Sequence, residues 1–254
     1  MALFNKKSCN ICGSKIGLFG NRKLDDGNLC KDCAKKLSPF FNERRRSSVS
    51  DIKNQLEYRE ENKKAVAAFN VTRTLGLGTK LMIDEDGGKF IVTSSRRWQE
   101  ENPDVLELSQ VTGCVVDVRE ERRELMQKGS DGEEKSFMPP RYEHDYDFWI
   151  TIHVNHEFFD QIRYRLNNTS IIIRPDRTRM MMQGGDKLGR SSVDYRECET
   201  MAEEIKTVLT KARETVRESI EAANAPKIAK TCPYCGATTT PDAQGRCEYC
   251  DGAI

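Results

Sequence analysis

The stretch Tyr146-Asp-Phe-Trp-Ile-Thr-Ile-His-Val-Asn155 alternates apolar and polar residues, and its reading sets the class of the central region. Phe148, Ile150, Ile152 and Val154 fall on one face, with Trp149, Thr151 and His153 on the other. A period of two belongs to a half-buried strand, whereas helical apolar positions recur every three or four residues. The same period returns on both sides. Lys80-Leu-Met-Ile83 and Lys89-Phe-Ile-Val-Thr93 flank the turn Asp84-Glu-Asp-Gly-Gly88 and read as a hairpin. Val105-Leu-Glu-Leu108 reads as a third strand. Val111 to Met126 reads as a long fourth, with Cys114, Val116 and Val118 on one face. Ile162, Tyr164 and Leu166 alternate with Gln161, Arg163 and Arg165 and read as strand, a helix from Phe158 being the alternative. Ile171-Ile-Ile173, stopped by Pro175, is the last strand. Two stretches interrupt the pattern: 127–145, a charged, Gly/Pro-bearing hairpin excursion, and 175–192, a long loop containing Met180-Met-Met182-Gln-Gly-Gly185.

Helical periods bracket these strands. Downstream, Met201, Ile205, Val208, Ala212, Val216, Ile220 and Ala223 form the apolar stripe of a helix from Asp194 to Ala225. At about 1.5 Å per residue it outruns a small barrel. Its first half is expected to pack on the sheets, and its second to form a stalk or a homodimer contact. Upstream, Ser50 is placed as the cap of a linker helix over 50–69, with Asp51 in its first turn and Ile52, Leu56, Val66 and Phe69 as a sparse stripe. About seven antiparallel strands followed by one helix resemble the pleckstrin-homology-like barrel. The expected class is therefore α+β, a pleckstrin-homology-like antiparallel β-barrel with a long C-terminal helix.

Cysteines occupy both ends. Cys9-x2-Cys12 and Cys30-x2-Cys33 open the chain, and Cys232-x2-Cys235 and Cys247-x2-Cys250 close it. Met1 to Lys7 leads into no apolar run of a secretory signal, and no stretch reaches the roughly 18 apolar residues of a membrane span. The expected compartment is the cytoplasm, where paired CxxC motifs hold metal rather than disulfides. Four thiolates fill a tetrahedron and leave no open position for water, so both sites are expected to be structural Zn2+; a rubredoxin-like iron site is the competing assignment. The first pair lies in a knuckle followed by Gly13, and the second begins a helix, a treble-clef arrangement. The second set reads as a zinc ribbon. The expected organisation is a zinc finger over 1–45, a linker helix over 46–71, the β domain with its helix over 72–225 and the ribbon over 229–254.

Charge narrows the function classes. A net charge of +1 with 32% charged residues supplies no bulk attraction to nucleic acid or membrane. The first 50 residues differ, with eleven Lys and Arg against four acids, and Phe40 and Phe41 precede Arg44-Arg45-Arg46. That finger is a candidate nucleic-acid contact, the alternative being a solvated face. Asp84-Glu85-Asp86 in the first hairpin would repel a phosphorylated headgroup, so membrane lipid is not the expected partner. His144, His153 and His156 have no compelling ligand spacing, Leu75-Gly-Leu-Gly78 lacks the P-loop pattern, Cys114 reads as core, and Cys198 lies on the helix with no basic partner evident. No nucleophile, base and orienting group converge, so no catalytic role is expected.

Residues 9–38, Cys-Asn-Ile-Cys-Gly-Ser-Lys-Ile-Gly-Leu-Phe-Gly-Asn-Arg-Lys-Leu-Asp-Asp-Gly-Asn-Leu-Cys-Lys-Asp-Cys-Ala-Lys-Lys-Leu-Ser, resemble the N-terminal treble-clef-like domain of an uncharacterised bacterial family catalogued as a domain of unknown function. The layout of finger, β-rich middle and terminal ribbon also resembles its longer members. The resemblance implies zinc at Cys9, Cys12, Cys30 and Cys33 and supplies no activity. The functional expectation is a zinc-stabilised cytoplasmic interaction protein with a protein partner. A nucleic-acid-binding protein and a membrane-surface adaptor are the alternatives.

Overall fold

A computed structural model describes residues 7–130, 132–174, 192–224, 229–242 and 244–254, with backbone alone at 216 and 219–224. Contacts divide it into two units, Met1–Arg213 and Glu214–Ile254. The first unit begins with a small hairpin, β1 (Arg22–Lys23) and β2 (Asn28–Leu29), and the short helix α1 (Lys31–Ala34).

Helix α2 (Val49–Ala68) follows. Its cap is Ser48 and not Ser50. Ser48 Oγ accepts the Asp51 N–H at 3.2 Å, and Asp51 Oδ2 accepts the Ser48 N–H at 2.8 Å. The reciprocal pair requires a carboxylate three residues after the cap, and Ser50 has Lys53 there. The stripe also differs from expectation. Helix α2 buries Ile52, Gln55, Arg59, Asn62 and Val66, so the middle of its inward face is polar, and Leu56 is only half-buried.

Two antiparallel four-stranded sheets come next. The first runs in sequence order: β3 (Arg73–Leu75), β4 (Lys80–Asp84), β5 (Lys89–Thr93) and β6 (Leu106–Glu107), with the short helix α3 (Trp98–Glu101) between the last two. In the second, β7 (Val111–Lys128) pairs along β8 (Glu134–Val154). Strands β9 (Gln161–Arg165) and β10 (Ile171–Ile173) pair along the opposite edge of β8, over Trp149–His153 and His144–Tyr146. The strand reading of Gln161–Arg165 therefore holds over the helical alternative.

The inner faces of both sheets meet in one core. Leu81, Ile83, Phe90 and Leu106 come from the first sheet and Phe148, Ile150, Ile152 and Ile162 from the second, all less than 2% exposed. Helix α4 (Val193–Asn224) adds Tyr195, Cys198, Ala202, Ile205 and Leu209 to this core, with Met201 and Val208 half-buried beside them. The Tyr195 ring meets Phe148 and Tyr146 edge-on at 5.0 and 5.1 Å, which fixes the face of α4 that turns inward. The side chains of Val216, Ile220 and Ala223 lie outside the described residues.

The closed antiparallel barrel does not form. Among the described residues the two sheets share no ladder, and the architecture is mixed helix and sheet with two sheets around a common core. The physical reason is β6. Only two residues long, it gives way to a 3-10 turn at Leu108–Gln110, so no strand carries hydrogen bonds from the first sheet to the second. The strand read over Val105–Leu108 shrinks accordingly. The excursion read over 127–145 becomes a regular two-stranded ribbon, turned at Gly129–Glu133 by a 2.8 Å backbone bond. Its register jumps from Leu125↔Arg141 to Met126↔Ser136. Pro139 and Pro140 lie inside the jump, where a residue without an N–H cannot extend the ladder. The segment read as a loop over 175–192 lies outside the described residues, apart from Ser192.

The β3–β4 turn depends on one glycine. Gly76 sits at φ +112°, and a Cβ there would lie 2.4 Å from the Thr79 carbonyl oxygen. Gly76→Ala is expected to cost about 1–3 kcal/mol through left-handed strain and the clash. Urea unfolding checks this against Gly17→Ala, whose Cβ would meet nothing within 4 Å.

The second unit holds the end of α4, then a minimal hairpin of β11 (Lys230–Thr231) and β12 (Thr238–Thr239), and an isolated bridge between Arg246 and Ala253. No helix among the described residues is long and apolar enough to cross a membrane.

Candidate metal centres

Three of the four cysteine pairs fold by one rule. In each, the N–H of the first cysteine bonds to the carbonyl five residues on, and its carbonyl accepts the N–H four residues on. The pairs are Cys9 with Ser14 and Gly13, Cys232 with Ala237 and Gly236, and Cys247 with Gly252 and Asp251. The residue after the second cysteine must then adopt a left-handed backbone: φ is +71° at Gly13, +72° at Gly236 and +54° at Asp251. Glycine suits this position and aspartate tolerates it, so the sequence writes the knuckle as CxxCG twice and CxxCD once. The fourth pair is different. Cys30 caps α1, its sulfur accepting the Cys33 N–H at 3.3 Å, and Cys33 lies in the first turn. Cys30 also donates its own N–H to Cys9 Sγ at 3.3 Å, which ties the knuckle to the helix.

These turns collect the eight predicted cysteines into two groups, Cys9, Cys12, Cys30 and Cys33, and Cys232, Cys235, Cys247 and Cys250. Within each group all four sulfurs lie within 4.8 Å of one another. Across pairs, Sγ–Sγ is 3.7 Å for Cys12 and Cys30, 3.5 Å for Cys232 and Cys250, and 3.6 Å for Cys235 and Cys247. A tetrahedron with metal–sulfur bonds of about 2.3 Å has edges of about 3.8 Å, so both groups fit a four-coordinate ion. None of the ten cysteines forms a disulfide.

The sulfurs compete for charge when no cation lies between them. The Ser14 hydroxyl and backbone N–H hold the Cys12 thiol down at about 6. Burial and the neighbouring sulfurs push Cys33 well above the thiol range. In the second group, burial raises Cys232, but the N–H groups of Cys235 and Tyr234 outweigh it and leave the thiol at about 7. The Gly252 N–H favours the Cys250 thiolate, but Cys235 and Cys232 outweigh that help and push it up to about 12. Cys12 and Cys232 are thus held toward the thiolate, and a dication between the sulfurs supplies the charge that favours ionisation of Cys33 and Cys250.

The first centre is built into the body of its unit. Its small core of Ile16, Leu24, Leu29 and Leu37 is completed by Ile52 of α2. Beyond α1, the Lys36 carbonyl accepts from Arg59 Nε at 3.3 Å, and Ser38 Oγ donates to Asp104 Oδ2 at 2.7 Å. Arg59 Nη1 meets Asp104 Oδ1 at 2.7 Å, with the two side chains 9% and 0% exposed. Asn62 donates to the Pro103 carbonyl at 2.7 Å and to Asn102 Oδ1 at 2.8 Å, and accepts the Val105 N–H at 2.9 Å. Finger, α2 and the loop before β6 therefore meet in one buried polar knot. Aromatic contacts run alongside it, with Phe40 on Phe159 at 5.6 Å and His156 stacked on Phe159 at 4.3 Å. Phe40 is consequently occupied at the junction, while Phe41 stays half-buried on the finger. Sequence reasoning missed this knot because its residues are polar and far apart. Arg59 and Asn62 on one helical face and the Asn102-Pro-Asp104 turn were the only signals.

The other residues weighed as functional do not converge. His144 Nδ1 pairs with Glu120 at 2.6 Å, His153 is exposed, and His156 is half-buried at the aromatic junction. Cys114 and Cys198 lie in or against the core, and burial raises both thiols to about 11. In the first hairpin, Asp84 is buried and locks the turn by accepting the Gly87 N–H at 2.8 Å, so Glu85 and Asp86 alone present charge there.

Fold and sites together define a mixed helix-and-sheet protein with two four-cysteine groups that can hold metal ions. Residues 7–55 match a family model described as a domain of unknown function (DUF4428). The matched stretch contains the whole first cysteine group and the α2 turns that close its core. No curated protein and no solved structure matches the chain.

Proposed function

We propose that the chain is a zinc-stabilised interaction protein without catalytic activity, with a pleckstrin-homology-like centre between two structural zinc sites and a cytoplasmic setting. The closed geometry of the two cysteine groups carries this reading. Four sulfurs at tetrahedral spacing leave no coordination position for water or substrate, and zinc in such sites supports folding rather than chemistry. Two sheets followed by a helix that enters their shared core support the pleckstrin-homology-like reading of the centre. Tyr234 and Tyr249, at 74% and 71% exposure, each occupy the middle of a CxxC pair in the second unit. Exposed tyrosines on a rigid turn offer apolar area with a polar tip, which suits a protein partner.

The test has two parts. Elemental analysis of the full chain, purified without added metal, is expected to return two zinc ions per chain; iron in either site overturns the assignment. Capture from a native lysate is expected to retain a protein partner through nuclease treatment and to lose it on chelation and with Tyr234→Ala and Tyr249→Ala. Retention that disappears with nuclease instead overturns a protein partner in favour of nucleic acid.

A further inference from the structure

The loop between the Cys9–Cys12 knuckle and β1 turns apolar side chains outward. Gly17–Gly20 is a tight turn closed by the Gly20 N–H on the Gly17 carbonyl at 3.0 Å. Ile16, just before it, is buried in the finger core, whereas Leu18 is 77% and Phe19 89% exposed. Single apolar residues on a surface need no account. These two are adjacent at a turn tip, and the tip is bonded to a concentration of positive charge. Arg22 Nη1 donates to the Phe19 carbonyl at 3.4 Å and to the Asn21 carbonyl at 3.5 Å.

The same arginine lines a cavity of about 310 Å³ together with Lys31, Lys35 and Arg44, with Leu37 and Phe41 as apolar wall. None of these four cations makes an ion pair among the described residues. Burial, and then the charges of Arg22 and Arg45, lower the Arg44 guanidinium from its ordinary range, as expected where like charges crowd. Several nearby acids are spent elsewhere. Asp26 accepts the Val49 N–H at 2.7 Å, Asp51 closes the α2 cap, and Glu43 faces Arg46 at 3.6 Å.

An exposed apolar tip beside unneutralised lysine and arginine is the two-part chemistry of reversible binding to an anionic bilayer. A nucleic-acid strand would use the cations and stack on Phe19, but it gives Leu18 nothing to do. We infer that the tip and cavity of the finger dock on an anionic lipid surface, with Leu18 and Phe19 entering the acyl boundary and Arg22, Lys31, Lys35 and Arg44 meeting headgroup phosphates. The surface lies on the finger and not on the Asp84–Asp86 hairpin, so the acidic hairpin does not oppose it.

The experiment is flotation of the full, metal-loaded chain with vesicles of phosphatidylcholine alone and of three parts phosphatidylcholine to one part phosphatidylserine. Retention is expected on the anionic vesicles only, and it falls with added salt. Leu18→Ser with Phe19→Ser is expected to weaken the partition at least about tenfold. Lys31→Ala with Lys35→Ala is expected to weaken it roughly 25-fold, about fivefold per cation. All four side chains are exposed, so metal content and melting temperature stay as in the native chain. Anionic vesicles that fail to retain the chain, or a serine tip that floats as well as the native one, overturn the proposal. A labelled single-stranded oligonucleotide bound equally by native and serine-tip chains, with no vesicle retention, also overturns it and assigns the cavity to nucleic acid.

Discussion

Asp104→Ala is expected to destabilise the first unit by about 3–5 kcal/mol, because it leaves the Arg59 guanidinium buried without its counter-charge. Asp104 is 1% exposed and takes two short bonds, from Arg59 and from Ser38. Losing it strands a cation and a hydroxyl in a site closed to water. In a unit of this size the melting temperature should fall by roughly 6–20 °C. Arg59→Lys should recover little, since a lysine cannot serve the Asp104 carboxylate and the Asn102 and Lys36 carbonyls from one planar group. The check is thermal unfolding followed by near-UV signal, with Trp98 as reporter, since it packs with Val66 of α2 and with Phe69 just beyond the helix. A shift under about 1 kcal/mol for Asp104→Ala would mean that water reaches the pair and that the knot does not fasten finger to sheets.

Removing the metal ligands should have unequal consequences at the two ends. Cys9→Ser with Cys30→Ser is expected to abolish the first site, whose ion contributes on the order of 10 kcal/mol to folding in small four-ligand modules. The loss should spread. Helix α1 leads directly to Lys36 and Ser38, and both belong to the buried knot, so loosening the finger exposes Arg59 and Asp104. Near-UV signal from the sheet unit should weaken and its melting temperature fall. Cys232→Ser with Cys235→Ser should instead unfold the second unit and leave the first unit's melting curve unchanged, because the two are separate compact bodies. Equal damage to the first unit from both pairs would contradict that separation. Metal counted per chain should drop by one ion in each variant, which distinguishes ligand loss from general misfolding.

Much of this protein was legible in its sequence. The knuckles are local: the two backbone bonds that set each turn join residues four and five positions apart, and the left-handed residue after each is named by its chemistry. The strands of the core are also local statements, since a period of two commits a residue to a face before its partner strand is known. The capping box of α2 was equally legible in Ser48 and Asp51, although Ser50 drew the first reading. Pro139 and Pro140 mark the break in the β7–β8 register, yet proline and charge together suggested an excursion where a ribbon forms.

Tertiary structure decided what depends on long-range partners. Sheet closure turned on whether a two-residue strand could bridge to the next sheet, and no periodicity reports that. The inward face of α2 reads as polar surface in sequence. It becomes interior because Asp104 and Asn102, more than 40 positions away, arrive with matching hydrogen bonds. Leu18 and Phe19 look like any apolar pair in sequence, and only the turn at Gly17–Gly20 sends Ile16 inward and leaves them in solvent. Thiolate spacing, knuckle turns and strand periods are properties of neighbouring residues, so the sequence alone determined them. Burial of a charge, exposure of an apolar tip and closure of a sheet are properties of what packs opposite, and only the folded chain supplies that.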